Sequence, residues 1–404
     1  MAFRRKASVS QIQRFLRCPR SWFYHYKKRI PEPPSIYLIR GSFVHLVCEE
    51  LADVSPRSGG FNKNNFREKI PIVAKEIFDE VFTRPGEYFG KTKPSVYEDL
   101  MSLFENNEEL VTAAKNESFG MLTNYVNKLI INIDMMFKQN GDFSKAYKAI
   151  KPQFTEFEID INDGDVQFGG FIDQVFELGG QTVLCDLKTS KLKVGKAIDS
   201  DFYMPLGLSG LDPDYVLQLK AYYYAYYKMT GKKADYLTLN YLAYGSETVI
   251  PTEFLDLDIV TKTMEDLIST FMRHTESNNM EDYPMNISGD VKILPHYEIE
   301  NLFCTCHGSR FEGRGYCPYE ALCNAELELS GEFEAVVEEP DCTVVKIKDT
   351  NETYTLPFWL AQKKGFGEAE VMCTKVRESE KAILIDFNGD QSWLPKSQLT
   401  KIEE

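Results

Sequence analysis

Residues 170–188 read GFIDQVFELGGQTVLCDLK, two largely apolar runs that each carry an aspartate and are separated by Gly179-Gly180. This pattern predicts a strand, a tight turn and a second strand, because paired glycines suit the positive φ angles of a two-residue hairpin loop. The hairpin places Asp173 and Asp186 on adjacent strands. In that arrangement one metal ion can bridge the two carboxylates.

Lys188 follows Asp186 by two residues, so the two side chains point to the same face of a strand. Phosphodiester hydrolysis needs carboxylates that hold Mg²⁺ or Mn²⁺ and a cation near the attacking water or the phosphate. Taken alone, an Asp-x-Lys pair at a strand end is more often a solvated strand terminus. The acidic segment ending at Asp173, about a dozen residues upstream, favours the catalytic interpretation.

Two other segments read as helices with polar side chains at informative positions. In residues 215–226, Gln218 and Tyr222 are four apart and share a helix face. Core packing explains most aromatic residues of this helix, but a buried amide needs hydrogen-bond partners, which singles out Gln218. Residues 36–50 contain His45, which on its own is more often a structural residue than a ligand.

The order of these residues resembles that of the PD-(D/E)XK nuclease superfamily, and within it the RecB-like branch, in which Asp or Glu occupies the position of Asp186. The resemblance covers about residues 8–325. Its motifs are His45, Asp173, Asp186-x-Lys188 and Gln218-x-x-x-Tyr222. The resemblance implies a metal site formed by His45, Asp173, Asp186 and the Leu187 carbonyl. It further implies that Lys188 acts on the attacking water and the phosphate, while Gln218 and Tyr222 orient the site and the DNA.

The cysteines form a second pattern. The chain has nine of them, and neither a secretory leader nor a membrane-spanning run is recognisable, so we expect a cytoplasmic protein with reduced thiols. Clustered thiols in such a chain indicate a metal, and four thiolates suit zinc as well as iron. The clustered residues are Cys304, Cys306, Cys317 and Cys323, which could form a zinc site by themselves, and Cys18 lies apart from them near the start of the sequence.

In AddB-type nuclease domains and CRISPR-associated adaptation exonucleases of the RecB-like branch, one early and three late cysteines bind a [4Fe–4S] cluster. Cys18, Cys317 and Cys323 match this arrangement, but Arg314 occupies the position of the remaining cysteine. The resemblance therefore implies that Cys304 or Cys306 supplies the fourth ligand, with His307 as a competitor. We favour Cys306 because it leaves the shorter loop to close.

The distribution of charged residues indicates where DNA could bind. The net charge of −15 argues against a general nucleic-acid coat protein, although the basic groove of a nuclease can be local. The first 45 residues are basic, and residues 22–26 (WFYHY) lie among the cations. These aromatic residues suit either stacking on single-stranded bases or packing within a helix whose cations extend to solvent, and both interpretations are open.

The chain has 404 residues and a mass of 46.4 kDa, enough for two or more domains. We predict an N-terminal helical segment (1–51), a helical insertion (52–150), a nuclease core with the late cysteines (151–329) and a small β-barrel-like module (330–404). Strands in about 152–190 and 235–250, with a helix between them, predict a mixed α/β (α+β) sheet flanked by helices.

The last module is predicted from short apolar runs at 333–337, 342–347, 369–373 and 382–387, followed by a turn at 387–390 and a final strand from 393. Its ending resembles small β modules appended to bacteriophage replication and recombination proteins, which suggests a phage origin. Because the module is acidic, a protein partner is at least as good an expectation for it as DNA.

These patterns together predict a metal-dependent exonuclease that acts on DNA, at single-stranded or other ends, in recombination, repair or replication. The resemblance also implies 5′→3′ polarity, on weaker grounds. Two alternatives are a DNA-binding scaffold with a vestigial site, and an adaptor or inhibitor in phage–host conflict. Digestion of DNA separates the enzyme from both alternatives.

Overall fold

The computed structural model describes residues 6–88, 91–190, 211–286, 317–319, 322–323, 325–326, 342–350, 352–357, 360–361, 370–379, 381–387 and 390–402. The chain divides into two compact units, Met1–Glu320 and Ala321–Glu404. The finer division of the first unit into a helical segment, a helical insertion and a nuclease core stays a prediction.

The first part of the chain is mainly helical, as predicted. The helices are α1 (Val9–Arg17), α2 (Pro19–Trp22), α3 (Ile36–Asp53), α4 (Phe66–Thr83), α5 (Val96–Leu103), α6 (Glu108–Asn140) and α7 (Phe143–Ile150). A π-helical turn, Phe23–Lys27, follows α2, and a short hairpin of β1 (Gly86–Tyr88) and β2 (Lys91–Lys93) precedes α5. Helix α6 begins at the Asn107 cap and ends at Gly141, whose φ of 68° stops it.

A five-stranded sheet follows the helices. Its strands are β3 (Phe154–Asp163), β4 (Val166–Leu178), β5 (Gln181–Lys188), β6 (Tyr236–Tyr241) and β7 (Ser246–Pro251), in that spatial order. Strands β5 and β6 are parallel and the other pairs are antiparallel. Helix α8 (Pro213–Thr230) lies between β5 and β6 along the chain, and α9 (Leu257–His274) follows β7. The predicted mixed α/β fold is confirmed.

The hairpin that led to this prediction forms as expected. Strands β4 and β5 pair from Leu178 and Gln181 next to the turn, where Gly179 and Gly180 have φ angles of 61° and 88°. These positive angles fit the right-handed twist of paired strands, and glycine adopts them without steric strain. The turn therefore sets the register that brings the two acidic segments together.

The sheet is covered by helices on both sides. Residues of α3, α4, α6 and α7 form one hydrophobic core with Cys185 and Leu187 of β5, and Cys48 is buried in the same core. Helix α8 contacts β3 and β6, and it buries Tyr222, Tyr223 and Tyr224. Because side chains alternate along β5, Asp186 and Lys188 point away from the core that takes Cys185 and Leu187.

The aromatic residues of the N-terminal segment pack inside the protein. Trp22, Phe23 and Tyr24 are buried, and the Trp22 ring stacks on Tyr283 with centroids 5.6 Å apart. Phe15 meets Trp22 edge to face at 5.7 Å. These packed rings are not accessible for stacking on bases, so the structure supports the packing interpretation for them.

The second unit contains its own sheet. Its strands are β8 (Cys342–Ile347), β9 (Glu352–Pro357), β10 (Glu370–Glu378), β11 (Ala382–Phe387), β12 (Asp390–Pro395) and β13 (Thr400–Ile402), in the spatial order β12-β11-β10-β8-β9-β13. The prediction missed β9 and began the last strand too late, since β12 starts at Asp390 and is followed by β13. The strand predicted at 333–337 lies outside the described residues, and closure into a barrel stays a prediction.

Among the helices that the structure describes, none is both long and apolar enough to cross a membrane.

Candidate active site

Asp173 lies where the pairing of β4 with β5 stops. The ladder runs from the hairpin turn to the pair Gln174 and Cys185, after which β5 continues beside β6 as far as Lys188. Beyond that pair, the Asp173 side chain replaces the backbone of β4 as a hydrogen-bond partner of β5. Its Oδ2 accepts a hydrogen bond from the backbone N–H of Leu187 over 2.7 Å. This contact fixes Asp173 beside the second acidic segment.

A closed ring of polar contacts surrounds Asp186. Its Oδ2 lies 2.6 Å from Lys188 Nζ, which donates to Gln218 Oε1 over 2.7 Å. Gln218 Nε2 donates to the Tyr222 hydroxyl over 2.8 Å, and that hydroxyl donates to Asp186 Oδ1 over 3.4 Å. The structure therefore brings four of the predicted site residues together, and it supplies hydrogen-bond partners for the half-buried Gln218 amide.

Tyr215 is a site residue that the sequence analysis did not single out. Lys188 Nζ lies 4.6 Å from the centre of the Tyr215 ring, within the range of a cation–π contact. The Tyr215 hydroxyl is 2.8 Å from Ser190 Oγ. Lys188 is thus held between a carboxylate, an amide oxygen and an aromatic face. Tyr215 shares its helix with the tyrosines of residues 222–227, and the aromatic pattern alone does not distinguish it from core residues.

His45, Glu156 and Asp173 form a second group beside this ring. His45, on α3, has its Nδ1 3.7 Å from Asp173 Oδ2. One ligand atom from each of the three residues lies within 4.8 Å of the other two. Glu156 was missed by the sequence analysis, because the charged alternation of β3 gives it the same pattern as Glu158.

Comparison with known protein families agrees with this geometry. A family model for the PD-(D/E)XK nuclease superfamily matches residues 6–324. The chain belongs to the PD-(D/E)XK nuclease superfamily. A search of curated proteins found no match.

As a PD-(D/E)XK nuclease, the protein belongs to a superfamily of DNA-cleaving enzymes that use divalent metal ions. The predicted superfamily is confirmed, whereas the RecB-like branch and the iron–sulfur cluster stay predictions.

The residues present fit a divalent cation. Imidazole nitrogen and carboxylate oxygen are the ligands that Mn²⁺ accepts, and carboxylate oxygen suits Mg²⁺. Asp186 Oδ2 is fully buried and lies 2.6 Å from the Lys188 ammonium. This PD-(D/E)XK nuclease therefore holds a buried carboxylate, balanced by one cation, next to Asp173.

Burial and neighbouring charges raise the pKa values of two carboxyl groups in the site. Burial, and then the charge of Asp186, raises the pKa of Asp173 to about 6. Burial, and then the charges of Asp173 and Glu49, raises the pKa of Glu156 to about 7. Burial is the larger cause of both pKa shifts, and the negative charges of neighbouring carboxylates add to it.

The two hydrogen-bond donors on the other side of Asp186 stay protonated at neutral pH. Burial alone would lower the pKa of Lys188, but the charge and hydrogen bond of Asp186 outweigh it and raise the pKa. Burial, together with the charge of Asp186, raises the pKa of Tyr222 well above its ordinary value. Lys188 is therefore an ammonium ion and Tyr222 a neutral phenol under physiological conditions.

The early and late ends of the nuclease region meet near Cys18 and Cys317, both of which are buried. The hydroxyl of Tyr319 donates to the Ile30 carbonyl over 3.1 Å and lies 3.1 Å from His25 Nδ1. Asn286 likewise donates to the Arg17 carbonyl over 2.9 Å. Cys323, in the second unit, is also buried. Cys304, Cys306, His307 and Arg314 lie outside the described residues.

Proposed function

We propose that this PD-(D/E)XK protein is a Mg²⁺- or Mn²⁺-dependent DNA exonuclease of the RecB-like branch that hydrolyses phosphodiester bonds at single-stranded ends. One observation carries the nuclease assignment. The hydrogen bond between Asp173 and the Leu187 backbone joins the two acidic segments beside the closed ring of Asp186, Lys188, Gln218 and Tyr222. Recombination, repair and replication are the processes that supply such ends.

The metal-binding residues in this proposal are the side chains of His45, Asp173 and Asp186 and the carbonyl of Leu187. When bound there, a divalent cation supplies Lewis acidity to the phosphate and lowers the pKa of a bound water. The carboxylate of Asp173 is held by the Leu187 N–H at 2.7 Å, so its orientation does not depend on the ligand. A ligand set held in advance in this way avoids reorganisation during the reaction.

Lys188 stabilises negative charge on the phosphate and positions the attacking water. Its raised pKa keeps it protonated, so it serves as a cation and hydrogen-bond donor rather than as the base that removes a proton. Asp186, Gln218 and the Tyr215 ring hold the ammonium group from three directions. Tyr222 orients the Gln218 amide, and both residues face the path of the DNA backbone.

The preference for single-stranded ends, and the 5′→3′ polarity, rest on the resemblance to the RecB-like branch. The experiment is digestion of linear single-stranded, linear double-stranded and circular single-stranded DNA, with Mg²⁺, with Mn²⁺ and with EDTA. An exonuclease degrades linear single strands and leaves circles intact, since a circle offers no end. Separate labels at the 5′ and 3′ termini give the polarity.

The same experiment separates the proposal from its alternatives. A vestigial scaffold binds DNA without cutting it, and an adaptor or inhibitor neither cuts DNA nor responds to the metal. The Asp186→Ala protein is the control for contaminating nucleases. Cleavage of circles by the wild type, but not by Asp186→Ala, would replace the exonuclease assignment with an endonuclease.

We also propose that Cys18, Cys306, Cys317 and Cys323 bind a [4Fe–4S] cluster that joins the early and late ends of the nuclease region. The burial of Cys18 and Cys317, and the contacts of Tyr319 with the segment that follows Cys18, support this proposal. The visible spectrum and metal content of anaerobically purified protein test it. Stoichiometric zinc without iron would overturn the iron–sulfur assignment, and loss of colour in Cys18→Ala supports it.

The second unit is proposed to bind a protein partner. It has its own hydrophobic core, and its sequence carries more acidic than basic residues, which suits a basic protein surface better than DNA. Among the residues predicted for the site and the cluster, the second unit contributes Cys323.

A further inference from the structure

Glu156 on β3 lies directly across from Asp173 on β4. The two strands pair Thr155 with Gln174 and Phe157 with Ile172, and this register aligns Glu156 with Asp173. At that position the backbone of Glu156 has a φ of 47°, in the left-handed region. A regular strand is therefore interrupted at one residue, opposite a residue of the active site.

This conformation is unfavourable for a side chain other than glycine. The other described non-glycine residues with positive φ, Arg29, Glu105 and Asn106, lie in turns or loops, where such angles are common. Glu156 adopts it inside a ten-residue strand. Strain of this kind persists where the surrounding structure enforces it, and it clusters at functional sites.

The Glu156 carboxylate lies close to two residues from other elements. Ligand atoms of His45 on α3, Glu156 on β3 and Asp173 on β4 all lie within 4.8 Å of one another. This spacing suits three ligands of one cation, whose metal–oxygen distances are about 2.0–2.6 Å. The imidazole makes the group more than a cluster of acidic residues, since a neutral histidine is a common metal ligand.

We propose that Glu156 is a direct ligand of the divalent cation, together with His45 and Asp173. The inference rests on the proposed metal-dependent function and adds Glu156 to the residues that bind the ion. Asp173 lies between Glu156 on one neighbouring strand and Asp186 on the other.

A metal-binding role and a purely structural role for Glu156 predict opposite effects of its substitution on the stability of the metal-free protein. Without the cation, Glu156 adds a negative charge beside Asp173, so neutralising it stabilises the metal-free protein. If Glu156 had a purely structural role, its substitution would instead destabilise the metal-free and the metal-bound protein alike. Glu156→Gln changes the charge and keeps the shape. Glu158→Gln is the matched control, because Glu158 lies two residues along the same face of β3 and is exposed.

The experiment measures Mn²⁺ binding by calorimetry, and by the electron paramagnetic resonance signal of free Mn²⁺, for the wild type and both variants. We expect Glu156→Gln to weaken Mn²⁺ binding at least about tenfold, and Glu158→Gln to change it less than about twofold. The gain in thermal midpoint on adding Mn²⁺ should shrink in Glu156→Gln alone, while its metal-free midpoint rises. Glu156→Asp should recover part of the affinity.

Mn²⁺ affinity in Glu156→Gln within about twofold of the wild type would overturn the ligand assignment. So would a wild type that binds no Mn²⁺. Failure of the nuclease proposal looks different: wild-type protein that binds Mn²⁺ through Glu156 but cuts no DNA removes the proposed activity and leaves the ligand assignment standing.

Discussion

The backbone N–H of Leu187 donates to Asp173 Oδ2 over 2.7 Å at the point where β4 and β5 cease to pair. One carboxylate oxygen thus replaces a missing hydrogen-bond partner of the sheet, and the same oxygen lies 3.7 Å from His45 Nδ1. Asp173 therefore has a structural role that is separable from its proposed role as a metal ligand. Substitutions that keep or remove the hydrogen-bond acceptor distinguish the two roles.

Asp173→Asn and Asp173→Ala should both lose cleavage, by at least about a hundredfold, because neither side chain supplies a carboxylate to the cation. Their stabilities should differ. Asparagine still accepts the Leu187 N–H, whereas alanine leaves that N–H unpaired, at about 1–3 kcal/mol. Urea unfolding of the metal-free proteins measures the difference. Near-normal cleavage by Asp173→Asn, or by Asp186→Ala, would show that the active site has been assigned wrongly.

Lys188→Ala should lose turnover about 10²–10³-fold while still binding Mn²⁺. Removing the ammonium takes a positive charge away from Asp186, so Mn²⁺ affinity should stay the same or rise. The metal-free protein should be destabilised by about 3–5 kcal/mol, because a buried carboxylate loses its partner. Lys232→Ala, at an exposed position after α8, is the matched charge control. Loss of Mn²⁺ binding in Lys188→Ala would contradict the separation of these roles.

The two tyrosines around Lys188 should differ in their effect on catalysis. Tyr222→Phe removes the hydroxyl that accepts from Gln218 and donates to Asp186, so it should lower turnover several-fold with little change in metal affinity. Tyr215→Phe keeps the ring against Lys188 and loses the contact with Ser190, so it should be milder. Tyr215→Leu removes the ring as well. Single-turnover cleavage rates at saturating Mn²⁺ give the order, and a larger loss in Tyr215→Phe than in Tyr222→Phe would reverse the proposed roles.

The parts of the site that were predictable are those specified by local sequence. The Gly179-Gly180 turn places Asp173 beside Asp186, and helical spacing places Gln218 and Tyr222 on one face. Glu156 was not predictable, because β3 alternates charged and apolar residues and its pattern does not reveal which residue adopts a positive φ. That angle depends on the pairing with β4, which is a property of the folded sheet.

Long-range packing explains the other differences between the predictions from sequence and the structure. The sequence of residues 22–26 suits a packed helix and a base-stacking surface equally well, and burial favours packing for Trp22, Phe23 and Tyr24. Trp22 stacks on Tyr283. The partner is more than 250 residues away along the chain, so no local pattern indicates it. Strand β9 was missed because Glu352–Pro357 is rich in polar residues, and its pairing with β8 and β13 stabilises it.

The metal-free wild-type protein should become less stable, relative to Glu156→Gln, as the pH rises from about 5 to 8. Glu156 has a folded-state pKa of about 7 and Asp173 of about 6, whereas unfolded carboxyls titrate near about 4. The folded protein therefore binds these protons more tightly than the unfolded chain, and stability falls as they are lost.

Thermal midpoints in EDTA check this prediction. The midpoint of Glu156→Gln minus that of the wild type should be small at pH 5 and should increase up to about pH 8, once both carboxyls have ionised. Taking the difference cancels the contribution of groups that titrate in both proteins. A difference for Glu156→Gln that does not depend on pH would contradict the crowding of Glu156 with Asp173.

Truncation after Ser330 should give an active nuclease. The shortened chain keeps the proposed site residues and Cys323, while the core of the second unit is formed by strands that begin at Cys342. Since that unit carries more acidic than basic residues, its removal should strengthen single-strand binding at low salt and change it little at high salt, where charges are screened.

Single-strand affinity of the full-length and shortened proteins, measured across salt concentrations, tests the role of the second unit. If the unit clamps the substrate, the shortened protein binds more weakly at every salt concentration, which would contradict a partner-docking role. Iron content and solubility test the boundary itself. Cys323 falls in the second compact unit, and the shortened protein retains it. A soluble, iron-containing truncation product would show that the segment around Cys323 folds with the nuclease region, and an insoluble or iron-free product would show that the boundary at Ser330 is wrong.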